Sequence, residues 1–244
     1  PFLDAVDAQS EIANEAQAYA LARERAQELR ALGVTVNFSP VLDVSSSPED
    51  FIYSRAFRGD AKVVGALGAA MIGGYRNGGV IAVAKHFPGH GGTAVDSHSA
   101  LPVVSRDEDA WRTHLAPFIA AIAERVPMIM SAHLIVSEQD SEHPATLSRA
   151  ILTGVLREEL GYEGIVITDD LGMGAITASA AFVDAAVRAI EAGADIALVV
   201  RSVADYDVIY TTLVQKVADG TLSESRLDES VRRILTLKKE YDTQ

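Results

Sequence analysis

The sequence contains no cysteine. Without thiols the chain can form neither a disulfide framework nor a metal site with thiolate ligands, although this absence does not decide the compartment. Positive charge is also scarce, since 21 lysine and arginine residues stand against 34 aspartate and glutamate residues, for a net charge of −13. Nucleic acids and anionic membranes attract basic patches, so neither is expected as a partner. The acidic surplus indicates solubility.

Long apolar runs are missing too, and none approaches the roughly 20 residues that a membrane span needs. The first residues, Pro1 to Asp4, carry neither the basic segment nor the apolar core of a signal peptide. The chain does not begin with methionine. We therefore expect a processed or truncated form of a longer protein.

What the sequence does contain is a regular alternation of strand-like and helix-like segments. Strands are predicted at residues 34–38, 80–84, 128–130, 165–167 and 196–200, where β-branched and aliphatic residues cluster. Helices are predicted at residues 10–32, 60–75, 106–125, 148–160 and 180–192, and two more end the chain. Ser148 and Ser223 are the expected caps of two of these helices.

The strands are apolar on both faces, which is typical of a parallel sheet covered by helices. The alternation predicts an α/β fold. The 244 residues suit one domain, 1–244, of the TIM-type (β/α)8 barrel class, which takes about 250 residues. Such a barrel has eight strands, three more than are predicted here, so we expect the first strands to be missing from the chain. The alternative is a complete, open, doubly wound sheet.

Polar residues follow every predicted strand. In a barrel the carboxyl ends of the strands carry the catalytic groups. These residues are Pro40, Asp43 and Ser54–Arg55 after the first strand, Lys85–Gly92 after the second, Ser131–His133 after the third, Thr168–Asp170 after the fourth, and Arg201 and Ser202 after the fifth. Charge at five strand ends in a row predicts a functional rim.

The densest group is the glycine-rich stretch 85–98, which holds three of the six histidines. A metal site on His86, His90 and His98 is disfavoured, because Lys85 would repel a cation and the spacing fits no zinc pattern. A phosphate loop is disfavoured because the Walker pattern is absent. Acid/base chemistry on an uncharged substrate fits better. The carboxylate of Asp96, two residues before His98, would orient the imidazole and raise its proton affinity.

The pair Asp169–Asp170 follows the fourth strand. Successive strand residues point in opposite directions, so one carboxylate can face the rim while the other turns towards the helices. We expect Asp169 to be functional, whereas a helix cap is as good an interpretation of Asp170. His133 either lines the site or is a satisfied buried histidine, and His114 is expected at the surface or in helix packing.

These residues resemble the bacterial β-N-acetylglucosaminidases of glycoside hydrolase family 3. The similarity lies in KHFPGHG at 85–91 and DSH at 96–98, and it extends to PVLDV at 40–44, SRAF at 54–57, HPATLS at 143–148 and TDDLGM at 168–173. So long a series of motifs in the family's order is far more specific than any single one.

The resemblance implies a TIM-type barrel and the role of each residue. Asp169 corresponds to the nucleophile of a retaining hydrolase, and His98, paired with Asp96, to the general acid/base. Arg55, Lys85 and His86 correspond to residues that bind the sugar. It further implies a substrate that contains N-acetylglucosamine, such as a muropeptide, and no metal or organic cofactor. Relatives occur in the cytoplasm and outside the cell, so the compartment stays open, as does the oligomeric state.

Two departures from the family pattern stand out. Position 92 is glycine, where relatives usually carry Asp or Asn, which is expected to loosen the loop or alter a hydrogen bond. An upstream Asp-Gln-Glu-Gly-Gly stretch has no counterpart here. Two other functions stay open. One is a β-N-acetylglucosaminide phosphorylase, since His98 as acid/base tolerates incoming phosphate better than a carboxylate does. The other is a truncated, non-catalytic sugar-binding barrel.

Overall fold

The structure is a computed structural model that describes residues 8–177, 181–200 and 203–241. Strands β1–β6 span Val36–Asn37, Ile81–Phe87, Val103–Val104, Met128–Ser131, Ile135–Val136 and Ile165–Thr168. Helices α1–α7 span Glu15–Ala31, Ala61–Asn77, Glu108–Ala123, Gly174–Thr177, Phe182–Ala192, Val203–Ala218 and Glu224–Glu240. A π-helix, Ala150–Glu159, precedes β6.

The chain forms two compact units. The first consists of Pro1–Ala94, Arg106–Met130 and Lys238–Gln244, and the second of Val95–Ser105 and Ser131–Leu237. No helix in the described ranges combines the length and the apolar character that a membrane crossing requires.

In the first unit, β1, β2 and β4 lie side by side in that order. Strands β1 and β2 are parallel, with Val36 opposite Ile81. Almost every residue of β2 and β4 is buried, as expected for a sheet that helices cover. The three long helices of this unit begin at carboxylate or amide caps, each of which accepts a hydrogen bond from the first turn: Asn14, Asp60 and Asp107.

Helices α1 and α2 approach each other through small residues. Ala18, Ala22 and Ala26 form the buried stripe of α1. A β-carbon at Gly74 of α2 would lie 2.4 Å from the carbonyl oxygen of Tyr19 and 2.8 Å from the β-carbon of Ala22. The close approach of these helices therefore depends on the absence of a side chain at position 74.

In the second unit, the short strands β3 and β5 pair in parallel. Strand β6 is fully buried, and Ile167 forms a parallel bridge with Ile196. The fifth predicted strand is thus wrong beyond Ile196, because residues 197–200 form no strand. The predicted helix at 148–160 exists, with Ser148 accepting from the amide of Ile151, but it is a π-helix.

A buried carboxylate joins three elements of the second unit. Asp195 accepts from the amide of Val166 in β6 at 2.9 Å and from Arg157 of the π-helix at 2.6 Å. Helix α7 contributes Arg233 at 2.9 Å and the hydroxyl of Ser230 at 2.7 Å. The Asp195 side chain is fully buried, so its charge is balanced by these partners and not by solvent.

Candidate active site

In the first unit, Asp43 and His86 form a buried contact at the end of β2. Nδ1 of His86 lies 2.8 Å from Oδ2 of Asp43, and the His86 amide donates to Oδ1 at 3.2 Å. The amide of His90 donates to the same Oδ1 at 2.5 Å. Because an ionised carboxylate only accepts hydrogen bonds, Nδ1 of His86 carries a proton here. Asp43 therefore sets both the orientation and the proton position of this imidazole.

The histidines keep Asp43 ionised. Burial by itself raises the pKa of a carboxyl group, since it disfavours the charged form. At Asp43 the charge and hydrogen bond of His86, together with His90, outweigh burial and lower the pKa from 3.8 to about 2. Asp43 follows the first predicted strand, but its role could not be predicted, because nothing in the sequence shows which side chain it contacts.

The glycine-rich stretch contacts two residues, Arg106 just before α3 and His114 within α3. The buried Arg106 donates to the carbonyl oxygens of Gly89 at 2.8 Å and Gly91 at 3.0 Å. A β-carbon at Gly91 would lie 1.7 Å from the carbonyl oxygen of Val44, so only glycine fits. The His114 ring packs beneath Gly89, which confirms a packing role for His114. Burial and the nearby charge of Arg106 lower the pKa of His114 to about 4.

The two predicted sugar-binding cations also belong to the first unit. Arg55 ends a single 3-10 turn, Tyr53–Arg55, and is half-buried. Lys85 lies in β2 and is half-buried, with Nζ 6.0 Å from the centre of the Phe38 ring. The backbone of Lys85 is fixed, because its carbonyl oxygen accepts from the amide of Leu42 at 2.6 Å.

Gly92, the departure from the family pattern, adopts a φ of +80°. Glycine takes this region at no cost, and Asp and Asn are the side chains enriched there. The hydrogen bond at this position comes from the backbone, since the Gly92 amide faces Oδ2 of Asp50 at 3.3 Å. The three residue types therefore meet the same backbone requirement.

In the second unit, Asp96 and His98 form the expected pair. Oδ1 of Asp96 accepts from the amide of His98 at 2.8 Å and lies 2.7 Å from its Nδ1. The side chain of His98 is 59% exposed and that of Asp96 is 43% exposed. An imidazole that is oriented by a carboxylate and open to solvent can exchange protons with a bound molecule.

Asp169 and Asp170 make different hydrogen bonds. Asp169 is half-buried, and its Oδ1 accepts from the amide of Asp170 at 2.8 Å. Oδ1 of Asp170 accepts from the amides of Gly172 and Val200, each at 3.0 Å. Asp170 therefore holds the backbone of the loop, although it is not a helix cap, since α4 begins only at Gly174. Asp169 lies on the same turn, which the hydrogen bonds of Asp170 stabilise.

His133 is the satisfied, buried histidine of the two alternatives. Its Nδ1 lies 2.8 Å from the hydroxyl of Thr146, and its Nε2 lies 3.0 Å from the carbonyl oxygen of Asp170. A carbonyl oxygen only accepts, so Nε2 carries the proton in this contact. Through that hydrogen bond His133 stabilises the Asp169–Asp170 turn.

The structure thus groups the candidate residues in two sets. Asp43, Lys85 and His86 share the first unit with Arg55, while Asp96, His98 and Asp169 share the second. Arg201 and Ser202, predicted at the end of the fifth strand, lie outside the described residues. Within the ranges that the structure covers, no group of three or more histidine, aspartate or glutamate side chains is arranged to hold a metal ion.

A comparison with protein families identifies the family of the chain. The model of the Glycosyl hydrolase family 3 N terminal domain matches residues 4–237. The chain belongs to glycosyl hydrolase family 3. Membership confirms the fold class predicted from the sequence, because this family 3 domain is a TIM-barrel-type α/β fold, and it excludes the open doubly wound sheet.

Individual family 3 proteins resemble the chain over most of its length. Beta-hexosaminidase A of Pseudoalteromonas piscicida is 38% identical over 232 residues, which are 87% of this chain and 39% of that protein. Beta-hexosaminidase LpqI of Mycobacterium bovis is 36% identical over 225 residues, which are 89% of this chain and 58% of that protein.

Among solved structures, a glycoside hydrolase family 3 β-N-acetylglucosaminidase from Paenibacillus sp. str. FPU-7 matches with a TM-score of 0.92 and 41% identity. The match covers 96% of this chain and 45% of that one. The family 3 chain described here therefore spans about half the length of these relatives. Its organisation as one barrel domain over residues 1–244 stays a prediction.

Proposed function

We propose that this family 3 chain carries the catalytic residues of a retaining exo-β-N-acetylglucosaminidase. The proposed substrate is a muropeptide or related glycan with a terminal β-linked N-acetylglucosamine. The observation that carries the proposal is the hydrogen bond between Asp96 and Nδ1 of the exposed His98, in a chain whose relatives are named beta-hexosaminidases. No metal or organic cofactor enters the proposed steps.

In the first step, the Asp169 carboxylate attacks the anomeric carbon, and the bond from that carbon to the glycosidic oxygen breaks. The imidazolium of His98 gives its Nε2 proton to the departing oxygen. The products are a covalent glycosyl–Asp169 ester, the released alcohol and a neutral imidazole. Asp96 accepts from Nδ1 of His98 and so holds the ring in one orientation for the transfer.

In the second step, the neutral His98 takes a proton from water, and the water oxygen attacks the anomeric carbon. The ester bond to Asp169 breaks, which restores the carboxylate and the imidazolium. Two displacements at one carbon leave its configuration unchanged. Both steps need the Asp169 carboxylate to hold its direction, and the contacts of Asp170 and His133 supply that rigidity.

Arg55, Lys85 and His86 are assigned to binding of the sugar hydroxyl groups. Arginine and lysine are donors only, whereas a histidine can donate or accept. The contact between His86 and Asp43 supports a role of His86 in sugar binding, because a side chain that is already held in one orientation loses less conformational entropy when the sugar binds.

The test is hydrolysis of 4-nitrophenyl N-acetyl-β-glucosaminide, followed by proton NMR of the released sugar. We expect turnover with the β-anomer formed first, and no measurable turnover in Asp169→Ala. His98→Ala should lower kcat/KM about 10²- to 10⁴-fold for a substrate with a poor leaving group. Asp228→Ala, at an exposed position of α7, is the matched control and should behave like the unchanged protein.

The two alternatives give different results in the same assay. A phosphorylase would release N-acetylglucosamine 1-phosphate only when phosphate is present, because phosphate replaces water in the second step. A non-catalytic module would bind N-acetylglucosamine without turnover. An α-anomer as first product, or full activity in Asp169→Ala, would rule out the retaining mechanism through Asp169.

A further inference from the structure

Two backbone hydrogen bonds join the turn that carries the Asp96–His98 pair to the segment that follows Asp169. The amide of Gly174 donates to the carbonyl oxygen of His98 at 3.0 Å, and the amide of Ala175 donates to that of Ser97 at 3.2 Å. Gly174 and Ala175 are the first residues of α4. The first amides of a helix have no hydrogen-bond acceptor within the helix. Here carbonyl oxygens of the turn accept from the amides of Gly174 and Ala175.

Gly174 leaves no room between the two segments. A β-carbon at this position would lie 2.7 Å from the carbonyl oxygen of His98 and 2.8 Å from that of Ser99. Both contacts are to backbone atoms, which cannot move aside as a flexible side chain does. The φ of Gly174 is not in the positive range, so alanine would meet a purely steric obstacle. Any side chain at position 174 must therefore displace the turn.

Each of the two segments has hydrogen bonds of its own. The carbonyl oxygen of Asp96 accepts from the amides of Ser99 and Ala100, at 3.0 and 3.1 Å, and from the Ser99 hydroxyl at 3.0 Å. On the other side, the carbonyl oxygen of Asp170 accepts from the amide of Met173 at 3.0 Å. A displacement at the contact is thus transmitted to the whole turn instead of being absorbed within it.

The exposed side chains of the pair do not anchor the turn by burial. Side-chain exposures of 59% for His98 and 43% for Asp96 leave little packing to hold them. The backbone contact at Gly174 therefore contributes to the position of the imidazole relative to Asp169. Both residues lie in the second unit.

We propose that Gly174 is a positioning residue that fixes the distance between the acid/base His98 and the nucleophile Asp169. The inference rests on the proposed function. Its consequence is specific to proton transfer: a displaced imidazole no longer reaches the glycosidic oxygen, while Asp169 keeps its own supports. A misplacement of about 1 Å can cost on the order of 100-fold in rate.

The experiment compares kcat/KM for two N-acetyl-β-glucosaminides that differ only in leaving group. A methyl glycoside needs a proton as its alcohol departs, whereas a 3,4-dinitrophenyl glycoside departs without one. Gly174→Ala should lower kcat/KM about 10- to 100-fold for the methyl glycoside, with less than a threefold change for the dinitrophenyl glycoside. A folding defect would lower kcat/KM for both substrates alike. The ratio of the two kcat/KM values therefore distinguishes a displaced His98 from a loss of folded protein.

The matched control is Gly154→Ala, in the π-helix of the same unit. A β-carbon there would have no atom closer than 4.0 Å, so both rates should equal those of the unchanged protein. Should Gly174→Ala fail to fold, Ser99→Ala loosens the same turn at an exposed position. It should give a smaller loss with the same dependence on the leaving group.

Hydrogen–deuterium exchange supplies a readout other than activity. The amides of Ser99 and Ala100 should exchange faster in Gly174→Ala than in Gly154→Ala. Equal losses on both substrates, or unchanged exchange and rates, would overturn the positioning role. An unchanged protein that hydrolyses neither substrate would refute the proposed function itself, before any variant is compared.

Discussion

Asp43 is the residue on which the orientation of His86 depends. Its carboxylate is fully buried, and three contacts from His86 and His90 converge on it. An asparagine side chain at position 43 has only one acceptor oxygen. Its NH₂ group would face the donors of His86 and His90, and at least one of them would lose its acceptor. The charge of Asp43 thus contributes to the stability of the first unit and, through His86, to the proposed binding of sugar.

We predict that Asp43→Asn lowers the free energy of unfolding at pH 7 by about 2 kcal/mol, as expected for a pKa shift from 3.8 to about 2. The folded-state pKa is depressed, so this stabilisation is present above pH 4 and is lost as the pH falls towards 2. Urea unfolding between pH 7 and pH 2 measures it. Asp60→Asn, at a helix cap where Asn serves equally well, is the control. A difference between Asp43→Asn and the unchanged protein that did not shrink in acid would contradict the assignment.

The sequence predicts which polar side chains follow the strands. It predicts only some of the contacts that these side chains make. Asp96 and His98 are two positions apart, so their contact follows from local geometry. Asp43 and His86 are 43 positions apart, and their meeting depends on the pairing of strands. The steric role of Gly174 was missed for the same reason, since no local pattern marks a glycine that touches a distant backbone.

At the scale of elements, the approach of α1 and α2 is the feature most sensitive to a single methyl group. A β-carbon at Gly74 would lie 2.4 Å from the Tyr19 carbonyl oxygen. Its neighbour Gly73, in the same helix, has ordinary distances of 3.5 Å or more to the nearest atoms. The two glycines thus form a matched pair.

Gly74→Ala should lower the free energy of unfolding by about 1–3 kcal/mol, because the helices must move apart. Gly73→Ala should be neutral or stabilising by up to about 1 kcal/mol, since alanine is the better helix former. Thermal and urea unfolding of both variants test this contrast. Equal effects of the two substitutions would show that the helices are not in close contact at Gly74.

The long helices were predicted well, because their apolar periodicity and their caps lie within the element itself. Two of the three two-residue strands in the described part of the chain were missed. Strands β3 and β5 have two residues each, too few to give a pattern. The stretch 196–200 is rich in β-branched and aliphatic residues, but a strand requires pairing with a neighbouring strand. Ile196 forms a bridge with Ile167, whereas the amides of Leu198 and Val200 donate to the side chains of Thr168 and Asp170. The π-helical form of 150–159 likewise has no signal in its sequence.

At the scale of the whole molecule, the second unit depends on the charge of Asp195. This carboxylate links β6, the π-helix and α7 through Val166, Arg157, Arg233 and Ser230. Removing one member of a buried ionic group leaves the others uncompensated, which typically costs about 3–5 kcal/mol. No local pattern indicates this network, because it joins residues up to 38 positions apart.

Asp195→Asn should therefore lower the free energy of unfolding by about 3–5 kcal/mol. Asp228→Asn, an exposed position of α7, should change it by no more than about 0.5 kcal/mol. Urea unfolding followed by circular dichroism gives both values. Similar values for the two variants would mean that the arginines do not depend on Asp195.

At the centre of the proposed function is one chemical event, the formation of a covalent bond between a sugar and Asp169. A fluorinated N-acetylglucosaminyl fluoride forms the glycosyl ester but slows its hydrolysis, so the ester accumulates. Mass spectrometry of the digested protein should find the added sugar on the peptide that carries Asp169. A protein that turns over the chromogenic substrate while no sugar attaches, or while it attaches to another residue, would contradict the account.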